Sequence, residues 1–239
     1  EILHHKYAVE YYKAIMPALV ASCFSYLIFA LIVHLGLGPV WDLSAYEYSG
    51  IYDFAYAVLF ALIGTLFGWV FIFCTKFFKY VFDKKPIPIY FKTLIGGFLL
   101  GIIAFYFPLT RYFGHHEINE LLLGGFSLKL LISLLLFKII AISITVTSGW
   151  RGGFIIPLFF VGTTLGLILH NLIPSINLTL AIVSCMAAIN SCVTRTPMST
   201  TILLATLTGF GHLIPILFAS LTGYYLAPRI PFISSQSDK

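Results

Sequence analysis

Charged residues are scarce in this chain. Only 10% of its 239 residues are Asp, Glu, Lys or Arg, whereas 59% are apolar. A soluble domain of this length has about 25% charged residues. The composition therefore excludes an ordinary soluble protein and predicts an integral membrane protein. The net charge of +5 does not indicate nucleic-acid binding, since its basic residues cluster in short loops, as Lys76, Lys79, Lys84, Lys85 and Lys92 do.

Patterns typical of enzymes and disulfide-bonded proteins are also missing. The four cysteines lie singly in apolar runs, where a small buried side chain is the simplest interpretation. Serines such as Ser148 have no histidine and aspartate context, so we expect no enzymatic activity and no cofactor. A membrane-embedded metalloenzyme built on His115, His116 and Glu117 is the remote alternative. His-Glu-x-x-His spacing is absent, and an exposed interfacial loop explains these residues better.

Long apolar runs predict the membrane spans. Since a transmembrane helix needs about 20 apolar residues, four runs are long enough, at residues 15–37, 54–73, 89–107 and 128–147. Four further helices are predicted at residues 154–173, 178–192, 197–210 and 213–226, and several of these are too short to cross a bilayer squarely. Short or interrupted membrane segments indicate a binding site made of broken helices.

Loop charges predict the orientation of the spans. The segment 34–53 holds three acidic residues and no Lys or Arg, whereas the loop at residues 76–92 is rich in lysine. Positively charged loops stay in the cytoplasm, so residues 76–92 are expected inside and residues 38–53 outside. We expect a cytoplasmic C-terminus and no soluble regulatory domain after it. The chain has no initiating methionine, which suggests a fragment or a processed chain.

A glycine-rich turn interrupts the apolar sequence between Ser148 and Pro157. Gly152 and Gly153 leave backbone N–H groups unshielded, and the following helix start adds a partial positive charge. Pro157 suits the first turn of a helix. Together these features favour a small anion bound by the N–H groups of Phe154 and Ile155. A tight turn between two helices is the alternative interpretation.

One arginine stands alone in a long uncharged stretch. Arg195 comes just before Pro197, at a predicted helix start. Because a charge in lipid is expensive, this side chain must face protein, water or a loop. It either acts at the anion site or caps the end of the preceding helix. We expect it to shape the local field or the helix ends without binding the anion directly.

These segments together resemble the CLC family of chloride channels and anion/proton antiporters. The resemblance lies in the run from Gly149 to Gly162, in Met186–Ile189 followed by Val193–Ser199, in Leu207-Thr208-Gly209 and in the opening Glu1-Ile2-Leu3. It covers the second half of a family member. It implies an all-α membrane protein with broken and tilted helices, formed by residues 1–239 as a single transmembrane domain. It also implies a homodimer with one anion pathway per subunit.

The resemblance assigns roles to further positions. Ser148, Gly149, Pro157 and Arg195 would be associated with the pore. Ile2 stands where the family's antiporters have an internal proton-relay glutamate, and Ile233 stands where an anion-binding tyrosine is usual. Both polar groups are therefore lost, and the backbone amides would carry more of the coordination. We expect transport of chloride or a similar anion, in the manner of a voltage-gated channel. A proton-coupled chloride or fluoride antiporter is the alternative.

Overall fold

A computed structural model describes residues 11–33, 39–43, 50–84, 87–150, 152–230 and 232. No residue in these ranges lies in a β-strand. The described residues form nine α-helices: α1 Tyr11–Val33, α2 Ile51–Asp83, α3 Ile89–Tyr106, α4 His115–Leu123, α5 Leu128–Thr147, α6 Ile155–Leu172, α7 Leu178–Thr194, α8 Pro197–Thr208 and α9 Leu213–Tyr225. Short 3-10 turns at Pro108–Thr110 and Phe210–His212 join neighbouring helices.

Four of the described helices are long and apolar enough to cross a membrane, namely α2, α3, α5 and α6. Helices α7, α8 and α9 have 17, 12 and 13 residues. At 1.5 Å per residue, the two shortest fall well below the roughly 30 Å of a bilayer core. Three of the four predicted full spans are long enough. Helix α6 joins them, whereas the described apolar part of α1, Met16–Ile32, falls among the shorter helices.

Helix α2 is longer than the sequence predicted, because it continues past residue 73 to Asp83. Its 33 residues would extend about 50 Å, well beyond the bilayer core. The added turns carry Lys76 and Lys79, which ended the apolar run in the sequence without ending the helix. An ion pair of 2.7 Å joins Asp83 to Lys92 Nζ at the start of α3.

The segment around His115-His116-Glu117 was wrongly predicted to be an exposed loop. It forms the first turn of α4, which begins after Gly114 and ends before Gly124, two glycines with positive φ. The helix forms because its apolar residues Ile118 and Leu121 are fully buried. The same packing leaves Glu117 only 7% exposed.

Helix α7 occupies the centre of the described bundle and packs against α2, α6 and α9. Every residue from Thr179 to Thr194 is buried. Glycines allow α6 to approach it closely. A Cβ atom added at Gly162 would lie 2.5 Å from the Cα of Met186, and one at Gly166 would lie 2.6 Å from the Cα of Ile182. Close packing through small residues is typical of membrane helices.

Candidate anion site

The N-terminus of α6 presents free backbone donors. Phe154 is the N-cap residue, and no side chain caps this end of the helix among the described residues. Within the same part of the chain, no carbonyl or side chain accepts a hydrogen bond from the N–H groups of Phe154, Ile155 or Ile156. Pro157 follows in the first helical turn. At the position where the sequence predicted the anion, these amides therefore have no partner among the described residues.

Gly152 and Gly153 face open space. A Cβ atom added at either glycine would meet nothing within 4 Å, and neither has the positive φ that would demand glycine. Packing and backbone strain therefore do not explain these two residues. They line a cavity of about 270 Å³ between α3, α5 and the start of α6. Pro157 lines the same cavity.

Ser148 and Gly149 lie against α3 instead. Ser148 is fully buried, and its carbonyl oxygen accepts a hydrogen bond of 3.0 Å from Thr93 Oγ1. Gly149 has φ +94°, and a Cβ there would lie 2.5 Å from Ile89 Cδ1. Trp150 Nε1 donates to the Thr93 carbonyl oxygen at 3.1 Å. These contacts fix the turn that leads from α5 into the glycine pair.

The cavity contains a lysine that the sequence analysis did not single out. Lys138 lies in the apolar helix α5 and is 1% exposed. Its Nζ donates hydrogen bonds to the carbonyl oxygens of Tyr112 at 2.6 Å and Thr110 at 3.3 Å, and it lies 4.6 Å from the centre of the Phe160 ring. A charge inside a membrane segment is expensive and usually functional. Its signal in the sequence was a lysine in the middle of a predominantly apolar span.

The charge around this cavity is positive. Arg111 lines it together with Lys138, and no acidic side chain is among its described lining residues. No described carboxylate lies within salt-bridge distance of Lys138. The groups in direct contact with the ammonium group are therefore carbonyl dipoles and an aromatic face.

Asn190 is the second residue that the sequence analysis missed. It lies in α7 with 1% of its surface exposed, and its Nδ2 donates a hydrogen bond of 3.3 Å to the carbonyl oxygen of Ile155. A peptide group is planar, so this bond also orients the N–H of Ile156. The central helix therefore positions one of the donors at the start of α6.

Arg195 forms the C-cap of α7, in keeping with the interpretation that it caps a helix end. Its backbone N–H bonds to the Ser191 carbonyl oxygen, and its side-chain Nη2 donates to the carbonyl oxygen of Pro228. It is not among the residues that line the cavity. Ile2 and Ile233, and the expected cytoplasmic C-terminus, lie outside the described residues.

No group of three or more His, Cys, Asp and Glu residues that could hold a metal ion occurs in the described ranges. The rings of His115 and His116 lie 5.2 Å apart, centre to centre, and meet edge to face. His116 is exposed whereas Glu117 is buried. The neighbouring side chains at the start of α4 therefore point to different surroundings.

The sequence matches a known protein family and individual curated proteins. The model of the voltage gated chloride channel family matches residues 1–228. The uncharacterized protein MJ0305 of Methanocaldococcus jannaschii is 31% identical over 215 residues, which make up 90% of this chain and 54% of that protein. The Escherichia coli protein YfeO, whose name assigns it provisionally to ion transport, is 30% identical over 145 residues, or 60% of this chain and 34% of YfeO.

The fold is similar to that of a solved transporter. The crystal structure of a CLC-type fluoride/proton antiporter superimposes with a TM-score of 0.70 at 19% sequence identity. The superposition covers 82% of this chain and 49% of the antiporter chain. The chain therefore spans about half the length of this antiporter and of the archaeal relative, and about a third of YfeO.

Proposed function

Because the chain belongs to the voltage gated chloride channel family, known as CLC, we propose that the full-length protein carries chloride or a similar small anion across the membrane. The proposal rests on one observation above all. The N–H groups of Phe154 and Ile155, at the N-cap and first residue of α6, have no partner among the described residues and directly follow the two glycines that line the cationic cavity. A helix start with free amides is a suitable binding site for an anion.

The chemistry of this site suits transport better than tight binding. Backbone amides are neutral donors, so they replace part of the hydration shell without the strong attraction of a contacting cation. Lys138 and Arg111 line the neighbouring cavity and raise the local potential, which concentrates anions near the amides. The walls provided by Leu100, Ala104 and Ile142 are apolar and strengthen these electrostatic interactions.

A proton-coupled antiporter for chloride or fluoride is the second candidate. It is favoured by the fold that this chain shares with the fluoride/proton antiporter. Fluoride is the substrate of that antiporter, and it is proposed here only as a candidate for this protein. Ile2 at the proton-relay position cannot carry a proton, so coupling here would require water or another acid. In both versions we propose a homodimer with one anion pathway in each subunit, and we propose that the protein acts as a transporter without enzymatic activity.

The test replaces one donor without changing a side chain. The full-length protein carrying a backbone ester in place of the Ile155 amide is reconstituted in liposomes, and chloride efflux is recorded together with internal pH. The ester removes the N–H group, and we expect efflux to fall by about tenfold, since a bond to a charged partner contributes roughly 1.5–3 kcal/mol.

An ester at Leu165 is the matched control. Its amide lies inside α6 and bonds within the helix, so its loss affects stability and spares the anion site. Equal losses of efflux in both ester proteins would refute the amide site. Proton movement against its gradient, in fixed proportion to chloride, would select the antiporter over uncoupled conduction.

A further inference from the structure

The last turns of α2, at residues 74–83, continue the helix beyond the apolar run that predicted the span. One side of these turns packs into the bundle, because Thr75 and Phe82 are buried. On another side, the large side chains of Phe77, Tyr80 and Val81 are exposed. Large apolar side chains outside the bundle fit contact with an apolar phase, and the boundary of the adjoining membrane provides one.

Lysines lie on the exposed part of the same turns. Lys76, Lys79 and Tyr80 are three or four residues apart, so they share one side of the helix. Lys79 is exposed and Lys76 is half-buried. Lys84, directly after the helix, is exposed, and its Nζ lies 6.0 Å from the centre of the Tyr80 ring. Lysines and aromatic rings together at the end of a membrane helix are typical of the interface between lipid and water.

The positive charge of this region is poorly compensated. At residues 69–98 the described part of the chain has four lysines and one acidic residue, Asp83. Asp83 forms its ion pair with Lys92, at 2.7 Å, which leaves the other three lysines without an ion-pair partner among the described residues. The chemistry that complements an apolar surface edged by unpaired lysines is that of an anionic lipid.

We propose that the end of α2 binds anionic phospholipids, with their phosphate groups at Lys79 and Lys84 and their acyl chains against the exposed apolar side chains of the same turns. Clusters of lysine directly beyond a membrane span attract anionic lipids. The lysine-rich loop is expected in the cytoplasm, and the cytoplasmic leaflet carries such lipids. Lysines that served only to orient the spans would not distinguish one headgroup from another.

The proposed lipid surface is connected to the candidate anion site through α3. Lys92 on α3 holds Asp83 at the end of α2. The next residue, Thr93, donates from Oγ1 to the Ser148 carbonyl oxygen at 3.0 Å, and its own carbonyl oxygen accepts a hydrogen bond of 3.1 Å from Trp150 Nε1. Ser148 and Trp150 belong to the turn that leads into the two cavity glycines. We therefore expect bound anionic lipid to stabilise this turn and increase transport, an effect that rests on the proposed function.

Lipid binding can be measured without transport. The full-length protein in detergent is mixed with equal amounts of phosphatidylglycerol and phosphatidylcholine, and native mass spectrometry counts the bound lipids of each kind. We expect phosphatidylglycerol to be preferred. Lys79→Gln and Lys84→Gln should each lower this preference by about fivefold, the scale for one basic side chain at an anionic surface. The losses should multiply in the double variant, because each side chain acts through its own charge.

Two control variants separate charge from apolar contact. Lys129→Gln removes an exposed lysine from the first turn of α5 and should keep the preference. Phe77→Gln removes an exposed apolar side chain and keeps the lysines, so it should weaken the binding of both lipids alike. Equal binding of the two lipids by the unmodified protein would overturn the lipid surface, and it is the result expected if another part of the full-length chain covers these turns. An unchanged preference in the double variant would overturn it as well.

Chloride efflux tests the connection to transport. Efflux from phosphatidylcholine vesicles should rise when phosphatidylglycerol is included, and this rise should be lost in the double variant and kept in Lys129→Gln. If the lipid preference responds to the lysines but efflux does not, the connection through α3 is wrong. If the unmodified protein carries no anion in either lipid while the preference responds, the lipid surface stands and the proposed function fails.

Discussion

The side-chain amide of Asn190 on α7 donates a hydrogen bond of 3.3 Å to the carbonyl oxygen of Ile155, the first residue of α6. The two helices pack so closely that only glycine leaves enough room for their backbones at the contact. The bond therefore couples the central helix of the bundle to the peptide group whose N–H belongs to Ile156. The orientation of this donor depends on a residue 35 positions along the chain.

Replacing Asn190 by alanine should disturb the first turn of α6, where the N–H of Ile156 adjoins the amide site. The variant loses the bond that orients the peptide group after Ile155, and a typical hydrogen bond contributes about 1 kcal/mol. We expect chloride efflux from liposomes to fall by about fivefold, with a small decrease in Tm. Ser191→Ala is the control, since the Ser191 hydroxyl is buried without a partner in the described part of the chain. An equal loss of efflux in the control would argue against the positioning role of Asn190.

Two glycines near the site should respond in opposite ways. At Gly149, alanine meets a positive φ and a close contact with Ile89, so we expect a loss of about 1–3 kcal/mol in stability. At Gly152, alanine has ordinary φ and open space, so stability should hold while its methyl group intrudes on the cavity. Thermal unfolding in detergent and chloride efflux together separate the two effects. A stable, fully active Gly152→Ala protein would show that the anion does not pass this glycine.

Much of the fold could be predicted because lipid imposes long apolar runs. Helix α5 has the predicted bounds, and the starts of α3, α7 and α8 also agree. Helix α4 was missed because its nine residues between Gly114 and Gly124 are too few and too polar to form an apolar run. The end of α2 was misplaced because Lys76 and Lys79 can lie on a helix beyond the bilayer.

The candidate site was only partly predictable, for a different reason. Gly152 and Gly153 could be recognised from the sequence, because two adjacent glycines without side chains leave the backbone exposed. The roles of Lys138 and Asn190 depend on hydrogen bonds to residues far away in the sequence. Lys138 donates to the carbonyl oxygens of residues 110 and 112, and Asn190 donates to that of Ile155. Their sequence signal was only a strongly polar side chain within a predominantly apolar helix. Such a residue indicates that a partner exists but does not identify it.

The contact between α6 and α7 should tolerate no added volume. An alanine at Gly162 would place its Cβ 2.5 Å from the Cα of Met186, where only backbone movement can relieve the clash. We expect a loss of about 1–3 kcal/mol, measured as a lower Tm and a lower yield of folded protein. Gly101→Ala is the matched control, because a Cβ there meets nothing within 4 Å. If both variants unfolded at the same temperature, the close approach of the two helices would be wrong.

Removing the charge of Lys138 should slow anion transport. Lys138→Met takes the positive charge away from the cavity next to Gly152 and Gly153, and we expect lower chloride efflux. The defect should shrink when an impermeant salt is added, because ions screen the attraction of a charge for distant anions. The variant also leaves the carbonyl oxygens of Thr110 and Tyr112 without their donor, which costs about 1–3 kcal/mol. Stability must therefore be measured alongside efflux.

Two further variants separate charge from folding in this test. Lys138→Arg keeps the charge and can donate to the same carbonyls, so it should recover most of the efflux. Lys129→Met removes an exposed lysine from the first turn of the same helix and should have little effect. If Lys138→Met retained full efflux at low ionic strength, the lysine would serve only to hold the segment around Tyr112. Chloride efflux in Lys138→Arg could also stay as slow as in Lys138→Met although the protein is stable. In that case a positive charge at position 138 would not by itself account for the attraction of the anion.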